Sequence, residues 1–435
     1  MRLRWRVWAE RLQSLFLIVL VVSSLALSGF IWLGEPNELA IGHPYFYSSP
    51  MYGSQRGVDE FIRPSAVWLW TGNQELFRYN GTSATVQNML AMLRKAQFLA
   101  ARIVPKTSDS AAIPDKTPYL LFDFNGLLTH VSLWPLAMPI PRLPIHRPTS
   151  QMVALFQSGK KGIYNMVFPT GNKVFVGALK LPSAFAQWLK PLKVAVPYAQ
   201  IPNSGQLINL PYASIKMPVY RWILYHPVAT HVVDSFFLDP SLIQPIAKTT
   251  EMTLYSDGMQ SVELLLDEYG NDLIFSCPSG ALRGYRQTAN QALQVAVPFM
   301  DSHGGFVGNQ VLSGLNGSAD RTNLVFQDVI NGWPLFSRID QIRVQVQNGM
   351  VTGLWHTLSY PGMEINSTGV SVLSGAELMN KLTPSMSKGL TQITLGYGVM
   401  WVDQQTIELT PVYQLQYRAA PALYLDAQTG QTFYG

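Results

Sequence analysis

The sequence predicts an α+β protein in which a single N-terminal transmembrane helix is followed by three extracytoplasmic domains of antiparallel sheet with helices packed on one face. Three observations predict it. Residues 12–33, LQSLFLIVLVVSSLALSGFIWL, carry no charge. As a helix they reach about 33 Å, enough to cross a bilayer core of about 30 Å. Beyond them, short apolar runs of strand character recur between prolines and tight-turn signals such as Asp257-Gly258 and Asn348-Gly349. Clear helical periodicity is confined to a few stretches.

The apolar run has an orientation. Arg2, Arg4, Arg6 and Arg11 precede it, the first charges after it are Glu35 and Glu38, and no Lys or Arg follows until Arg56. The excess of positive charge stays on the cytoplasmic side, so residues 1–11 form a cytoplasmic tail and everything after residue 33 lies outside a single-pass cell-membrane anchor. Trp5, Trp8 and Trp32 fall at interfacial depth. A cleaved secretory signal is the competing reading, with Ala26-Leu27-Ser28 as the processing site before Gly29. The apolar run continues through Phe30, Ile31 and Trp32, which favours a retained anchor.

At 435 residues the chain is long for one domain, and the expected divisions are 34–205, 206–295 and 296–435. Apolar residues make up 48% and charged ones 13%, which supports a large core and argues against disorder. The formal net charge is +5, but four arginines and one glutamate lie in the first 11 residues, so the bulk is almost neutral and no nucleic-acid partner is expected. With Cys277 as the single cysteine, no intramolecular disulfide can form, and a small buried hydrophobe is the expected role of that thiol.

Taken in order, a strand is expected after Pro64, and a helix over 85–104, where Met89, Met92, Leu93, Ala96, Leu99, Ala100 and Ile103 repeat at helical spacing after a cap at Thr82 or Ser83. Strand-like runs follow at 119–124, 131–140, 162–168 and 173–179, with a short helix at 183–189. Residues 201–206, IPNSGQ, read as a linker or exposed turn. Residues 217–225 and 251–266 read as strands, the second folded back at Asp257-Gly258, and 283–296 reads as helical. Residues 341–360 form the strongest hairpin, turning at Asn348-Gly349. Ser374 with Glu377 is a capping box that opens a helix to about 382. Strands at 393–402, 406–417 and 422–426 and a turn at Thr429-Gly430 close the chain.

Catalytic patterns are thin. Ser385-x-x-Lys388 matches the start of the penicillin-binding signature, but the Ser-Asp-Asn and Lys-Thr-Gly elements that complete that chemistry are absent from the sequence. His226 and His231 lack a neighbouring carboxylate at metal-ligand spacing. His303-Gly304-Gly305-Phe306-Val307-Gly308 has neither a Walker lysine nor a βαβ setting and reads as a turn. Asp267-Glu268, and Asp234 with Asp239, are the carboxylate pairs a glycosidase would use, yet read better as solvated charges. Asn80, Asn316 and Asn366 begin sequons and read as surface loops. No catalytic residue, cofactor or metal site is assigned, and the chain reads as a non-enzyme.

Several stretches carry a resemblance. They are Phe30-Ile31-Trp32, Arg63-Pro64-Ser65, FFLDPSL at 236–242 followed by Tyr255-Ser256-Asp257-Gly258, His303-Gly304-Gly305-Phe306, NGWPLF at 331–336, LSGAEL at 373–378, Leu395-Gly396-Tyr397-Gly398, ELTPVY at 408–413 and Asp426-Ala427-Gln428-Thr429-Gly430. In this order they resemble the YycH family, membrane-anchored regulators of the WalK–WalR two-component system in Firmicutes. The later ones also resemble the partner family YycI, and the last is shared with PepSY-type modules. The resemblance implies a three-domain exterior, its second and third domains YycI-like. It also implies a transmembrane helix in contact with a YycI-like protein and a WalK-type sensor histidine kinase, with an effect on cell-wall metabolism. The alternatives are a cell-surface enzyme acting on wall polymer and a PepSY-like binding or inhibitory module.

Within the span, Ser24 and Ser28 form a small-xxx-small pair with Ser23 and Gly29 beside them. Helices in lipid associate through such small residues and through serine hydrogen bonds, so these four are the expected partner-contact residues. Serines also bond back to their own helix in ordinary spans.

Overall fold

A computed structural model describes residues 52–434 apart from 74, 108–115, 126, 139–151, 171, 204–205, 241–242, 268–269, 279–285, 319, 338 and 340, together with 16–17 and 19–24. The chain divides into two units, Met1–Ser48 and Ser49–Gly435. In the first unit, residues 16–17 and 19–24 are helical and exposed. Among the described residues no helix is long and apolar enough to cross a membrane; most of the expected span, 12–33, lies outside them.

Unit two opens with β1 (Ala66–Trp70) and β2 (Leu76–Asn80), then helix α1 (Ala84–Arg94) and β3 (Gln97–Pro105). The expected helix over 85–104 is therefore corrected: it stops at Arg94 and its second half is a strand. Ser83 caps α1 by accepting from the Val86 N–H, and Val86, Met89, Leu90 and Leu93 are its buried face. After Lys95, Leu99, Ala101 and Ile103 alternate as well as they repeat helically, and pairing along the whole of Lys173–Lys180 selects the strand. β4 (Tyr119–Asp123) comes next. The strand expected over 131–140 is also corrected, because Val131–Leu133 is a 3-10 turn leading into α2 (Trp134–Ala137). Pro135 sits in the first helical turn, where its missing N–H costs nothing.

β5 (Met152–Gln157), β6 (Ile163–Thr170), β7 (Lys173–Lys180), β8 (Val196–Asn203) and β9 (Gln206–Pro211) complete an antiparallel nine-stranded sheet in the order β3-β7-β6-β5-β4-β1-β2-β8-β9. The boundary drawn between 205 and 206 falls in the β8–β9 hairpin, where Asn203 pairs with Gln206. The expected linker or exposed turn thus lies between two paired strands of one sheet.

β10 (Ile215–Tyr225) starts the third sheet, and the chain then leaves it. Helix α3 (Ala229–Asp234) leads to β11 (Pro245–Lys248), β12 (Met252–Ser256), β13 (Ser261–Asp267) and β14 (Gly270–Ser276). Helix α4 (Ala289–Ser302) carries a complete capping box from Thr288 and Gln291, and the boundary drawn at 295/296 falls inside it. β15 (Val311–Gly317), β16 (Arg321–Gln327), the short pair β17 (Val329–Ile330) and β18 (Trp333–Pro334), β19 (Ile342–Gln347) and β20 (Met350–Thr357) follow. The second sheet runs β11-β12-β13-β14-β20-β19-β16-β15. Ala292, Leu293, Ala296 and Met300 of α4 are fully buried in the core this sheet shares with Phe122 and Phe168 of the first and with Phe61 ahead of β1.

The chain then returns. β21 (Tyr360–Val372), α5 (Gly375–Lys381), α6 (Pro384–Ser387), β22 (Leu390–Trp401), β23 (Thr406–Tyr417) and β24 (Leu423–Asp426) complete the third sheet in the order β21-β10-β23-β22, with β24 on β23. Tyr397, Leu409, Tyr413 and Leu415 centre its core. The folded unit is sheet-rich and antiparallel, with few helices.

Candidate functional site

β1, β2 and β8 stand side by side at one end of the first sheet, and the third sheet reaches them through β22, which packs on β9. Between these walls and the second sheet lies a cleft of about 1340 Å³ with residues of all three sheets in its lining. Arg78 is its most unusual residue. It sits in β2 opposite Trp68 of β1 and Val196 of β8, and is only 6% exposed.

The guanidinium of Arg78 donates from Nη1 to Asn80 Oδ1, and its carbon lies 4.1 Å from the centroid of the Trp333 ring. The four ion pairs among the described residues, at up to 4.0 Å, do not include it. Burial lowers its pKa, and the nearby Tyr198 phenol and Asp123 carboxyl oppose that. Asp123, on β4 across from Ala66, is pushed above the usual carboxylate range by burial. Its Oδ1 accepts from the Asn125 N–H at 2.9 Å, which with the Arg78 charge pulls it back down. Trp68 Nε1 is buried without a hydrogen bond of normal geometry and exerts a weaker pull on the same carboxyl. The Trp68 and Tyr198 rings meet edge to face at 5.1 Å.

The third sheet lines the cleft with amides and hydroxyls beside the apolar Ile393, Leu395, Val399 and Trp401. Gln416 Nε2 donates to Gln414 Oε1 at 2.9 Å, and Gln414 Nε2 donates to the Tyr424 hydroxyl at 3.0 Å. Thr357 Oγ1, buried at the end of the interior strand β20, has no hydrogen-bond partner among the described residues. A desolvated cation thus shares the cleft with amides and hydroxyls, with apolar side chains and with the charged residues Arg63, Asp123, Asp272 and Arg343. That arrangement can bind; among the described residues it offers no nucleophile with an adjacent base.

Other pairings in the unit are structural. Tyr360 Oη and His356 Nε2 are 2.8 Å apart, and burial holds the His356 pKa down to about 3. Ser359 Oγ and His226 Nδ1 are 3.1 Å apart, but Ser359 is fully buried, so its hydroxyl cannot meet a substrate. Ser385 and Lys388 are both exposed, and Ser385 Oγ shares a hydrogen bond of 2.8 Å with Thr383. No group of three or more metal-ligating side chains occurs among the described residues. Asp234 and Asp239 lie away from the cleft, and Glu268 lies outside the described residues.

Of the residues expected to contact a partner, Ser23 and Ser24 lie in the exposed helical stretch of the first unit, while Ser28 and Gly29 lie outside the described residues. Arg78, Asp123 and Tyr198 were not legible as a group, because they come from three separated strands. The available signal was one arginine inside an otherwise apolar and aromatic run, Leu76-Phe77-Arg78-Tyr79.

The architecture matches the crystal structure of YycH from Bacillus subtilis with a TM-score of 0.66, at 12% identity, over 85% of this chain and 98% of that one. The fold is that of YycH. An uncharacterized protein from Eubacterium rectale (TM-score 0.37, 10% identity, 55% of this chain and 93% of that one) and the Bacillus megaterium YpeB C-terminal domain (0.27, 14%, 47% and 93%) show weaker similarity. No family model matches the sequence, and no curated protein does.

Proposed function

We propose that this chain is a non-enzymatic, membrane-anchored regulator of a WalK-type sensor histidine kinase. It acts with a YycI-like partner through contacts of its transmembrane helix, and so adjusts cell-wall metabolism. The observation that supports this most is the YycH fold, which accounts for 98% of the YycH chain and 85% of this one. The ordered motifs of the YycH family along the sequence support it independently, as does a charge-free stretch at 12–33 behind four arginines. In this reading the exterior is held outside the cell and the helix carries the signal by close packing at Ser23, Ser24, Ser28 and Gly29.

A membrane two-hybrid assay against the kinase and the YycI-like protein tests it, with the full chain compared with residues 1–40. Association of the full chain is expected, and its retention by residues 1–40 would put the contact in the helix. Ser24→Leu with Ser28→Leu is expected to weaken co-purification with the kinase while membrane insertion is unchanged. Full association by the double variant would dispose of the serine-face mechanism.

A further inference from the structure

We propose that the cleft between the three sheets is an oxyanion-binding site, in which the Arg78 guanidinium receives the carboxylate or phosphate group of an extended polar ligand. A guanidinium has five N–H donors in a planar fork. Among the described residues Arg78 gives one hydrogen bond, to Asn80, and the Trp333 ring covers a face of the group. Stacking on a face leaves the edge of the fork free, and that edge has the geometry to bind a carboxylate or phosphate in bidentate fashion.

The surroundings make this more than an ordinary surface arginine. At 6% exposure the group has lost most of its hydration, yet Asp123 lies beyond ion-pair distance and is already held by the Asn125 N–H. Burying a cation without an ion-pair partner is costly, and a ligand anion would offset that cost. The lining from the third sheet suits the rest of the ligand. Gln416 is bonded to Gln414, which in turn donates to the Tyr424 hydroxyl. Side chains of this kind pair with peptide amides or hydroxyls. The volume of about 1340 Å³ exceeds the roughly 300–1,000 Å³ usual for a compact small molecule, so an elongated ligand fits better.

Isothermal titration of the full chain in a non-ionic detergent tests this, with inorganic phosphate, trialanine and trialanine amide as probes. At least one oxyanion is expected to bind, and trialanine amide to bind about tenfold more weakly than trialanine or not at all. Binding of phosphate alone would assign a phosphoryl ligand, and binding of trialanine alone a carboxylate. Arg78→Gln is expected to lose about tenfold or more, and Arg78→Lys, which keeps the charge without the fork, to lose part of that. The comparison of the carboxylate with its amide on the unaltered chain stands even where Arg78→Gln does not fold. Absence of binding by phosphate and trialanine at millimolar concentration overturns the proposal. So does equal binding of trialanine and its amide without phosphate binding, or undiminished binding by a folded Arg78→Gln.

Discussion

Arg78 and Trp333 meet with the guanidinium carbon 4.1 Å from the ring centroid, joining a strand of the first sheet to the short β17–β18 pair. Trp333 is 7% exposed and packs into the core of the third sheet, so it couples two cores as well as covering the cation. Trp333→Ala is expected to cost about 3 kcal/mol through the cavity and the lost cation–π contact, and Trp333→Phe about 1 kcal/mol. Urea unfolding of the two variants checks this. Equal losses for Ala and Phe would show that ring stacking on Arg78 contributes nothing.

The buried His356 predicts how stability follows pH. Its folded pKa of about 3 lies below the ~6.5 of an unfolded chain, because burial disfavours the imidazolium. Unfolded chains therefore bind a proton that folded ones refuse between those values. The contribution of this site to stability is intact above about pH 6.5 and declines as pH falls through the window, by about 1.4 kcal/mol per unit. His356→Gln keeps a hydrogen-bond partner for the Tyr360 hydroxyl and does not titrate. Urea midpoints at pH 7 and pH 5 are expected to converge in the variant, removing about 2 kcal/mol of the wild-type difference. An unaltered pH dependence would refute the assignment.

Local chemistry explains what could be read from the sequence. The turns at Asp257-Gly258 and Asn348-Gly349 and the box of Ser374 with Glu377 appear as expected, since each is decided by residues within hydrogen-bonding reach along the chain. Residues 97–105 failed that test because Leu99 and Ile103 satisfy both a helical and an alternating pattern. The deciding partner, β7, lies some seventy residues later, and no local pattern can report such pairing. The cleft was illegible for the same reason. Arg78 becomes unusual only when β1 and β8 flank it and Trp333 arrives from a distant hairpin. The interleaving of sheets, with β10 parted from β21 by the whole second sheet, also explains why contiguous boundaries cut through a hairpin and a helix.

That same strand β3 is an edge of the first sheet, hydrogen-bonded on one side to β7, with Leu99 43% and Ile103 37% exposed. Apolar edge strands pair with other chains, and a lysine on the edge opposes it. Leu99→Lys is expected to reduce concentration-dependent aggregation of the full chain in detergent while changing stability by about 0.5 kcal/mol or less. Static light scattering over a concentration series checks it; scattering that matches the unaltered chain would mean that the edge is not the self-association surface.

The strands of the β19–β20 hairpin lie inside the second sheet. Asn348 and Gly349 both hold positive φ, at 51° and 85°, as the two central positions of a tight hairpin of this hand require. The Gly349 N–H donates to Gln287 Oε1 at 3.0 Å, and the same amide donates from Nε2 to the Val346 carbonyl at 2.8 Å, clasping the turn from the residue just before the Thr288 cap of α4. An alanine at 349 would keep the N–H and the clasp, so its penalty isolates the backbone cost of positive φ, about 1–2 kcal/mol. Asparagine tolerates this region better, and Gly349→Asn is expected to cost less than half as much. The two variants are compared by urea unfolding at pH 7. Should alanine cost no more than asparagine, the turn would have to relax in solution, and the register fixed by Val344 opposite Leu354 would be set by the strands alone.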